Sequence, residues 1–287
     1  MDSKPVLRQA WQGDAGPAGR ICYAAFKAIA ERHAFPPDFP SPEVAAGLIA
    51  RMLARADVHG VVAELEGRVV GSNFLWEEEA VAGVGPITVD PIAQDRRVGR
   101  RLMEAVLERA RERGTPSVRL VQAAYHSRSL SLYARLGFEA REPLSVMQGT
   151  ALGVRIAGRT VREATEADLD AADRLYRSVH GHARAIELRE ALRRGTAAVV
   201  ERDGRLAGYT TGIGFFGHAV GETTQDIQAL IGAAPAFAGP GFLVPTRNAA
   251  LMRWCLEHGL RIVQPMTLMT MGPYEEPKGA FLPSVLY

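Results

Sequence analysis

Residues 87–111 read ITVDPIAQDRRVGRRLMEAVLERAR: an apolar run, a break at Pro91, and a polar loop feeding a helix with the apolar face Val98, Leu102, Val106 and Leu107. Four arginines, Arg96, Arg97, Arg100 and Arg101, crowd the start of that helix. Cations are unfavourable there, because the first turn already presents unpaired N–H groups and the positive end of the helix dipole. An anion lying over the loop relieves both. A pyrophosphate could take backbone N–H bonds and charge-assisted bonds from the arginines, each of the latter contributing roughly 1.5–3 kcal/mol. The competing reading is a solvated basic helix face.

The elements that would carry this loop repeat along the chain. Arg8, Ala10 and Asp14 share their spacing with Arg162, Ala164 and Asp168, each set just before an amphipathic helix. Glu64, Gly67, Arg68 and Gly71 recur as Glu201, Gly204, Arg205 and Gly208, each reading as two strands joined by a tight turn. VQAAYHSRSLSLYARLGF is echoed by LVPTRNAALMRWCLEHGL, with Gly137 answering Gly259. The offsets fall from 154 to 137 to 122, so the second copy is shorter. Each loss is about the length of one helix with its connection, the first between Asp14 and Glu64 and the second between Gly71 and Gly137.

The first copy is expected to run strand 6–10, helix from Asp14, helix 42–55, and strands 58–64, 69–77 and 84–89. Helix 98–113, strand 118–122, helix 127–136 and a closing strand to Gln148 follow. Gly149, Gly153 and Gly158 mark residues 149–158 as a linker. The expected fold class is α/β, with domains over 1–148 and 159–287, each a mixed sheet flanked by helices.

Composition narrows the options. A chain of 287 residues with 47% apolar content can fill two cores. The net charge of +2 and the dispersed basic residues argue against bulk nucleic-acid binding. No apolar run reaches membrane-span length and the N-terminus lacks a signal-peptide core, so a cytoplasmic protein without membrane partners is expected. Cys22 and Cys255 fall in separate helices, and neither a disulfide framework nor a metal site is expected.

At the run Gln94, Asp95, Arg96, Arg97, Val98, Gly99 the chain resembles the phosphate loop of the GCN5-related N-acetyltransferase (GNAT) family. That pattern is Gln or Arg, two residues, Gly, one residue, then Gly or Ala. Gln94 and Gly99 match, whereas Arg97 stands where the first glycine belongs, which requires negative φ there if the side chain is to be accommodated. The order of elements agrees with the family from Val6 to about Gln148. The resemblance implies two tandem acyl-CoA N-acyltransferase (GNAT) domains, mostly antiparallel, the second degenerate.

It further implies that Ile87, Thr88 and Val89 pair through their backbone with the pantetheine arm of acetyl-CoA. The loop residues Gln94 to Gly99, with Arg100 and Arg101, would hold its phosphates. SLYARLGF is similar to the family segment whose tyrosine faces the coenzyme sulfur, which makes Tyr133 the group that stabilises the departing thiolate. His126 and Ser129 stand where asparagine and alanine are more usual, and are expected at the cofactor. An amine acceptor must lose a proton before attack, and Glu77, Glu78 and Glu79 are the candidate acceptors of it, against the alternative of an acidic hairpin tip in water. Direct attack within one ternary complex needs no metal.

The second copy has neither lysine nor arginine between Arg205 and Arg247, while Glu222 and Asp226 flank its corresponding helix start and would repel a pyrophosphate. Cys255 occupies the Tyr133 position, and Asn248 the His126 position. GIGFFGHAVGE suggests close packing or a cleft wall, His218 and the His180/His182 pair read as structural, and Met266, Met269 and Met271 as core. The closing MGPYEEPKGAFLPSVLY reads as a tail laid over a surface. The expected function is acetyl transfer from acetyl-CoA to an unidentified primary amine, with a homodimer allowed for. The alternative is a non-catalytic acyl-CoA sensor.

Overall fold

The computed structural model describes residues 4–77, 80–94 and 96–286. In the first half the elements are β1 (Val6–Gln9), α1 (Ala15–Arg32), α2 (Pro42–Leu53), β2 (Val58–Leu65), β3 (Arg68–Trp76), β4 (Val81–Val84), β5 (Thr88–Val89), α3 (Val98–Glu112), β6 (Ser117–Ala123), α4 (Ser127–Arg135) and β7 (Glu139–Gln148). The second half has β8 (Thr160–Glu163), α5 (Leu169–His180), α6 (Ala185–Arg193), β9 (Ala198–Arg202), β10 (Arg205–Thr210), β11 (Ala219–Gly221), α7 (Thr224–Ala233), β12 (Phe242–Pro245), α8 (Ala249–Glu257), β13 (Arg261–Met271) and β14 (Ala280–Leu282).

The sequence echoes have a physical basis. Arg8 grips Asp14 with both guanidinium nitrogens, at 2.7 and 2.8 Å, and reaches Glu64 on the neighbouring strand at 2.6 Å. Arg162 makes the same fork to Asp168, at 2.8 Å on each arm, and reaches Glu201 at 2.8 Å. Each network ties a first strand to the turn entering its helix and to the strand beside it. In both hairpins the turn holds two successive residues at positive φ, Glu66–Gly67 and Asp203–Gly204, as tight hairpin turns require.

No helix is missing from the second half. Its shortening is spread over α5, α6 and α7, of 12, 9 and 10 residues against 18, 12 and 15 in α1, α2 and α3, and over the connection between α5 and α6. This corrects the expectation of two deleted helices. The strand expected over 84–89 is two shorter ones, β4 and β5, separated at the cis Gly85–Pro86 bond.

One sheet runs in the order β1-β2-β3-β4-β6-β13-β7-β12, with β5 paired to β3, and the other in the order β14-β11-β10-β9-β8. The halves therefore exchange strands: β13 lies between β6 and β7, and β7 lies between β13 and β12. Leu144, Val146, Leu243, Met266 and Leu268 form a shared core on one face of this region. Met269 faces the other side, into the core under α3. Within the C-terminal segment, Ala280, Phe281 and Leu282 form a buried strand instead of a surface tail, all at most 5% exposed, while residues 272–278 are largely exposed.

Candidate active site

The site begins where two strands part. β4 and β6 run parallel and paired from Val81↔Ser117 to Gly83↔Arg119. Beyond that point β5 bonds to β3 alone, through Ser72↔Thr88 and Gly71↔Val89, while the remainder of β6 bonds to β13. A wedge opens between them with an unpaired backbone edge on each arm, a geometry that accepts an extended chain as an added strand. Thr88 and Val89 lie on one arm, preceded by Ile87. Gln122 lies on the other arm, only 5% exposed, and both polar atoms of its amide are buried without a partner. An unmet buried amide costs about 1–3 kcal/mol, and an amide-bearing chain such as pantetheine fits that deficiency.

The chain runs from β5 through residues 90–97 into α3. Arg97 is its N-cap residue, left-handed at φ 59° and ψ 14°, and no side chain caps the helix. The conformation suited to glycine is thus kept although the residue is arginine, which corrects the expectation of negative φ; the left-handed region costs an ordinary residue roughly 1–2 kcal/mol. Gly99 packs close to Val89 and Leu132, since a Cβ there would lie 3.6 and 3.8 Å from their side chains. That contact fixes the helix start against β5 and α4. Lys4, Arg96, Arg97 and Arg101, with Pro5, Val6 and Leu7, line an open cavity of about 680 Å³, with no carboxylate in the lining among the described residues. Arg101 is steered there by donating to the Pro5 carbonyl. Arg100 turns away to pair with Glu104 at 2.8 Å, and Gln94 accepts from Arg128 at 3.3 Å. Val98 is buried beneath the helix start. Asp95 lies outside the described residues.

His126, Ser129 and Tyr133 share one face of α4, as their spacing requires. The His126 Nδ1 lies 2.8 Å from the Ser129 hydroxyl, and Ser129 stands one turn before Tyr133 on α4. Burial pushes the Tyr133 phenol up to about 12, with the Ser129 hydroxyl pulling the other way. His126 is held below its ordinary value, first by burial and then by Arg128, His33 and Arg32.

Glu77 is not brought to this group. Its nearly buried carboxylate pairs with Arg109 at 2.6 Å and Arg113 at 3.3 Å, ten or more residues and so about 15 Å along α3 from Gly99. It is occupied as a strut between β3 and the far end of α3, which corrects its reading as a free base. Glu78 and Glu79 lie outside the described residues. Sequence reasoning missed Gln122, Tyr125, Gln264 and Asp38. The last sits in FPPDFP, residues 35–40, where the signal was an acid held between aromatic residues and prolines.

The corresponding region of the second half is closed. Thr223 caps α7, accepting from Asp226 N–H, and Asp226 bonds back in a capping box. Asp226 is fully buried and meets Arg159 at 2.8 Å, while Arg205 and Arg202 grip Glu222. The edge of β11 is paired by β14 from Ala219↔Leu282 to Gly221↔Ala280. His218 bridges Glu187 and Tyr209, each at 3.0 Å, and His180 stacks on Tyr176 at 4.4 Å, so these rings serve packing. Among the described residues no group of three or more His, Cys, Asp or Glu side chains could hold a metal ion, and no helix is long and apolar enough to cross a membrane.

Residues 26–138 match the model of the acetyltransferase (GNAT) family. A curated relative, the IAA acetyltransferase of Azospirillum brasilense, is 32% identical over 93 residues; the match covers 32% of this chain and 61% of that protein's length. A candidate acetyltransferase of Pyrococcus horikoshii superimposes with a TM-score of 0.75 at 17% identity, over 98% of this chain and 95% of its own. A GCN5-related N-acetyltransferase of Sphaerobacter thermophilus does so at 0.65 and 15%, over 96% and 98%. A tandem GNAT protein from the clavulanic acid biosynthesis pathway gives 0.57 at 15%, over 95% and 100%. These three likenesses are of fold, and they extend across both halves. The resemblance to the acetyltransferase (GNAT) family in sequence spans residues 26–138, and the likeness of fold spans both halves.

Proposed function

We propose that the chain is an N-acetyltransferase that moves an acetyl group from acetyl-CoA to a primary amine within one ternary complex, using a single cofactor site in the first half. The wedge between β5 and β6, together with the cationic cavity beside the uncapped start of α3, carries this reading. Ile87, Thr88 and Val89 offer backbone to the pantetheine, and the Gln122 amide meets it from the other arm. The N–H groups of Val98, Gly99 and Arg100, with the Lys4, Arg96, Arg97 and Arg101 side chains, hold the pyrophosphate. Tyr133 donates a hydrogen bond to the departing sulfur. With the phenol near 12 and a thiol near 8.5, complete proton transfer is uphill by roughly 5 kcal/mol, so Tyr133 keeps its proton and stabilises charge. Ser129 and His126 orient that hydroxyl.

Calorimetric titration with acetyl-CoA tests the reading. One site per chain is expected, weakened about tenfold or more in Arg96→Ala, on the 1.5–3 kcal/mol of a charge-assisted contact. No binding sinks the proposal, and two sites overturn the assignment of a single one.

A further inference from the structure

Buried carboxylates in this protein are met by arginine. Asp14 has Arg8, Glu77 has Arg109, Glu142 has Arg247, Asp168 has Arg162, Glu187 has Arg184 and Asp226 has Arg159. Asp38 departs from that rule. It lies in the connection between α1 and α2, partly buried, and among the described residues its carboxylate has no ion pair; it accepts a 3.2 Å hydrogen bond from the Gln264 amide. A carboxylate withdrawn from water without a cation is costly, and proteins retain such groups where a ligand supplies the charge.

The surroundings suit an ammonium. Gln264, from β13 of the second half, also accepts from the Tyr125 hydroxyl at 3.3 Å. The Tyr125 ring stacks on Phe35 with centroids 4.3 Å apart, and the His33 ring lies tilted to it at 5.2 Å. Burial raises the Asp38 carboxyl above its ordinary value, partly offset by the Gln264 bond. The Cys22 thiol on α1 is raised first by its own burial and then by the nearby Asp38 charge.

Tyr125 immediately precedes His126. From these adjacent residues, at the end of the β6 arm, two polar chains diverge: the hydrogen-bonded series Tyr125–Gln264–Asp38, and the His126–Ser129 pair leading along α4 to Tyr133. An amine acylation needs one group that receives a proton from the nucleophile and another that meets the leaving sulfur, and the two chains end on groups of those kinds.

We propose that Asp38 is the acceptor carboxylate: it holds the ammonium of a primary amine beside the rings of Phe35 and Tyr125, and takes the proton that frees the nitrogen lone pair. The lone pair then forms the C–N bond to the acyl carbon as the C–S bond breaks. The sulfur leaves with that electron pair, the second N–H proton neutralises the thiolate, and Asp38 returns its own proton to solvent. The proposal rests on the acyl-transfer reading for the reaction, but the ammonium site is tested without turnover.

The test is Asp38→Asn, read in thermal unfolding with phenethylamine hydrochloride and with uncharged phenethyl alcohol as probes. The variant alone is expected to unfold about 2 °C higher or more, because it removes an unpaired buried charge. The amine, and not the alcohol, should raise the wild-type midpoint and leave the variant unmoved. A lower midpoint for the unliganded variant, an equal amine shift in both proteins, or no shift in the wild type overturns the proposal. Titrating the same proteins with acetyl-CoA reads the cofactor site separately: equal affinity is expected in both. An amine-specific shift alongside no acetyl-CoA binding would support the Asp38 site while removing the transferase reading.

Discussion

Helices α3 and α7 hold the same place in the two halves, and their first turns are treated in opposite ways. At α7, Thr223 and Asp226 close the capping box, and Arg159 neutralises the buried carboxylate. At α3 the cap residue is a left-handed arginine with no side-chain cap, and the neighbouring side chains are cations. The strands agree with the helices. β11 has its outer edge paired by β14, whereas β5 has only β3. One half meets its polar groups from within and the other leaves an uncapped helix start and an open strand edge among its described residues, on one shared plan.

The comparison can be broken at several points. Asp226→Ala strips a fully buried charge partner and a cap, and should destabilise the protein by about 3–5 kcal/mol in denaturant unfolding. Acetyl-CoA affinity of the folded protein should not change. A loss of affinity would mean that the second half contributes to the cofactor site. Tyr133→Phe should lower turnover by roughly 10²-fold, about 2.7 kcal/mol, with little effect on acetyl-CoA affinity. Unchanged turnover in steady-state assays would remove the hydroxyl from the reaction. Arg97→Gly should act in two directions. Relief of the left-handed backbone, set against the greater chain entropy of glycine, should stabilise the protein by up to about 1 kcal/mol, while losing the guanidinium should weaken acetyl-CoA binding. Weaker binding without any gain in midpoint would show that Arg97 is unstrained.

Much of the first half was legible because its signals are local. The Arg8–Asp14 fork spans six residues, the Glu66–Gly67 turn two, and the α3 apolar face repeats every three or four. What the sequence hid depends on partners far along the chain. Glu77 looked free because Arg109 is 32 residues away. Asp38 drew no attention because its partner, Gln264, is 226 residues away. The exchange of β7 and β13 was invisible for a related reason: alternation says that a strand has a buried face, and says nothing about which strand will lie beside it. The supposed loss of two helices came from reading a length difference as one event, when several elements had each been trimmed.

That exchange also sets an order of assembly. Ser117 and Thr270, neighbours across β6 and β13, are 153 residues apart, so the larger sheet cannot be completed from the first half's own stretch of chain. During synthesis, the strands that frame the wedge must wait with an open edge until residues 261–271 have left the ribosome. Long-range pairing of this kind is slow and leaves strand edges exposed to other chains. The shared sheet therefore makes completion of the first half depend on delivery of the second.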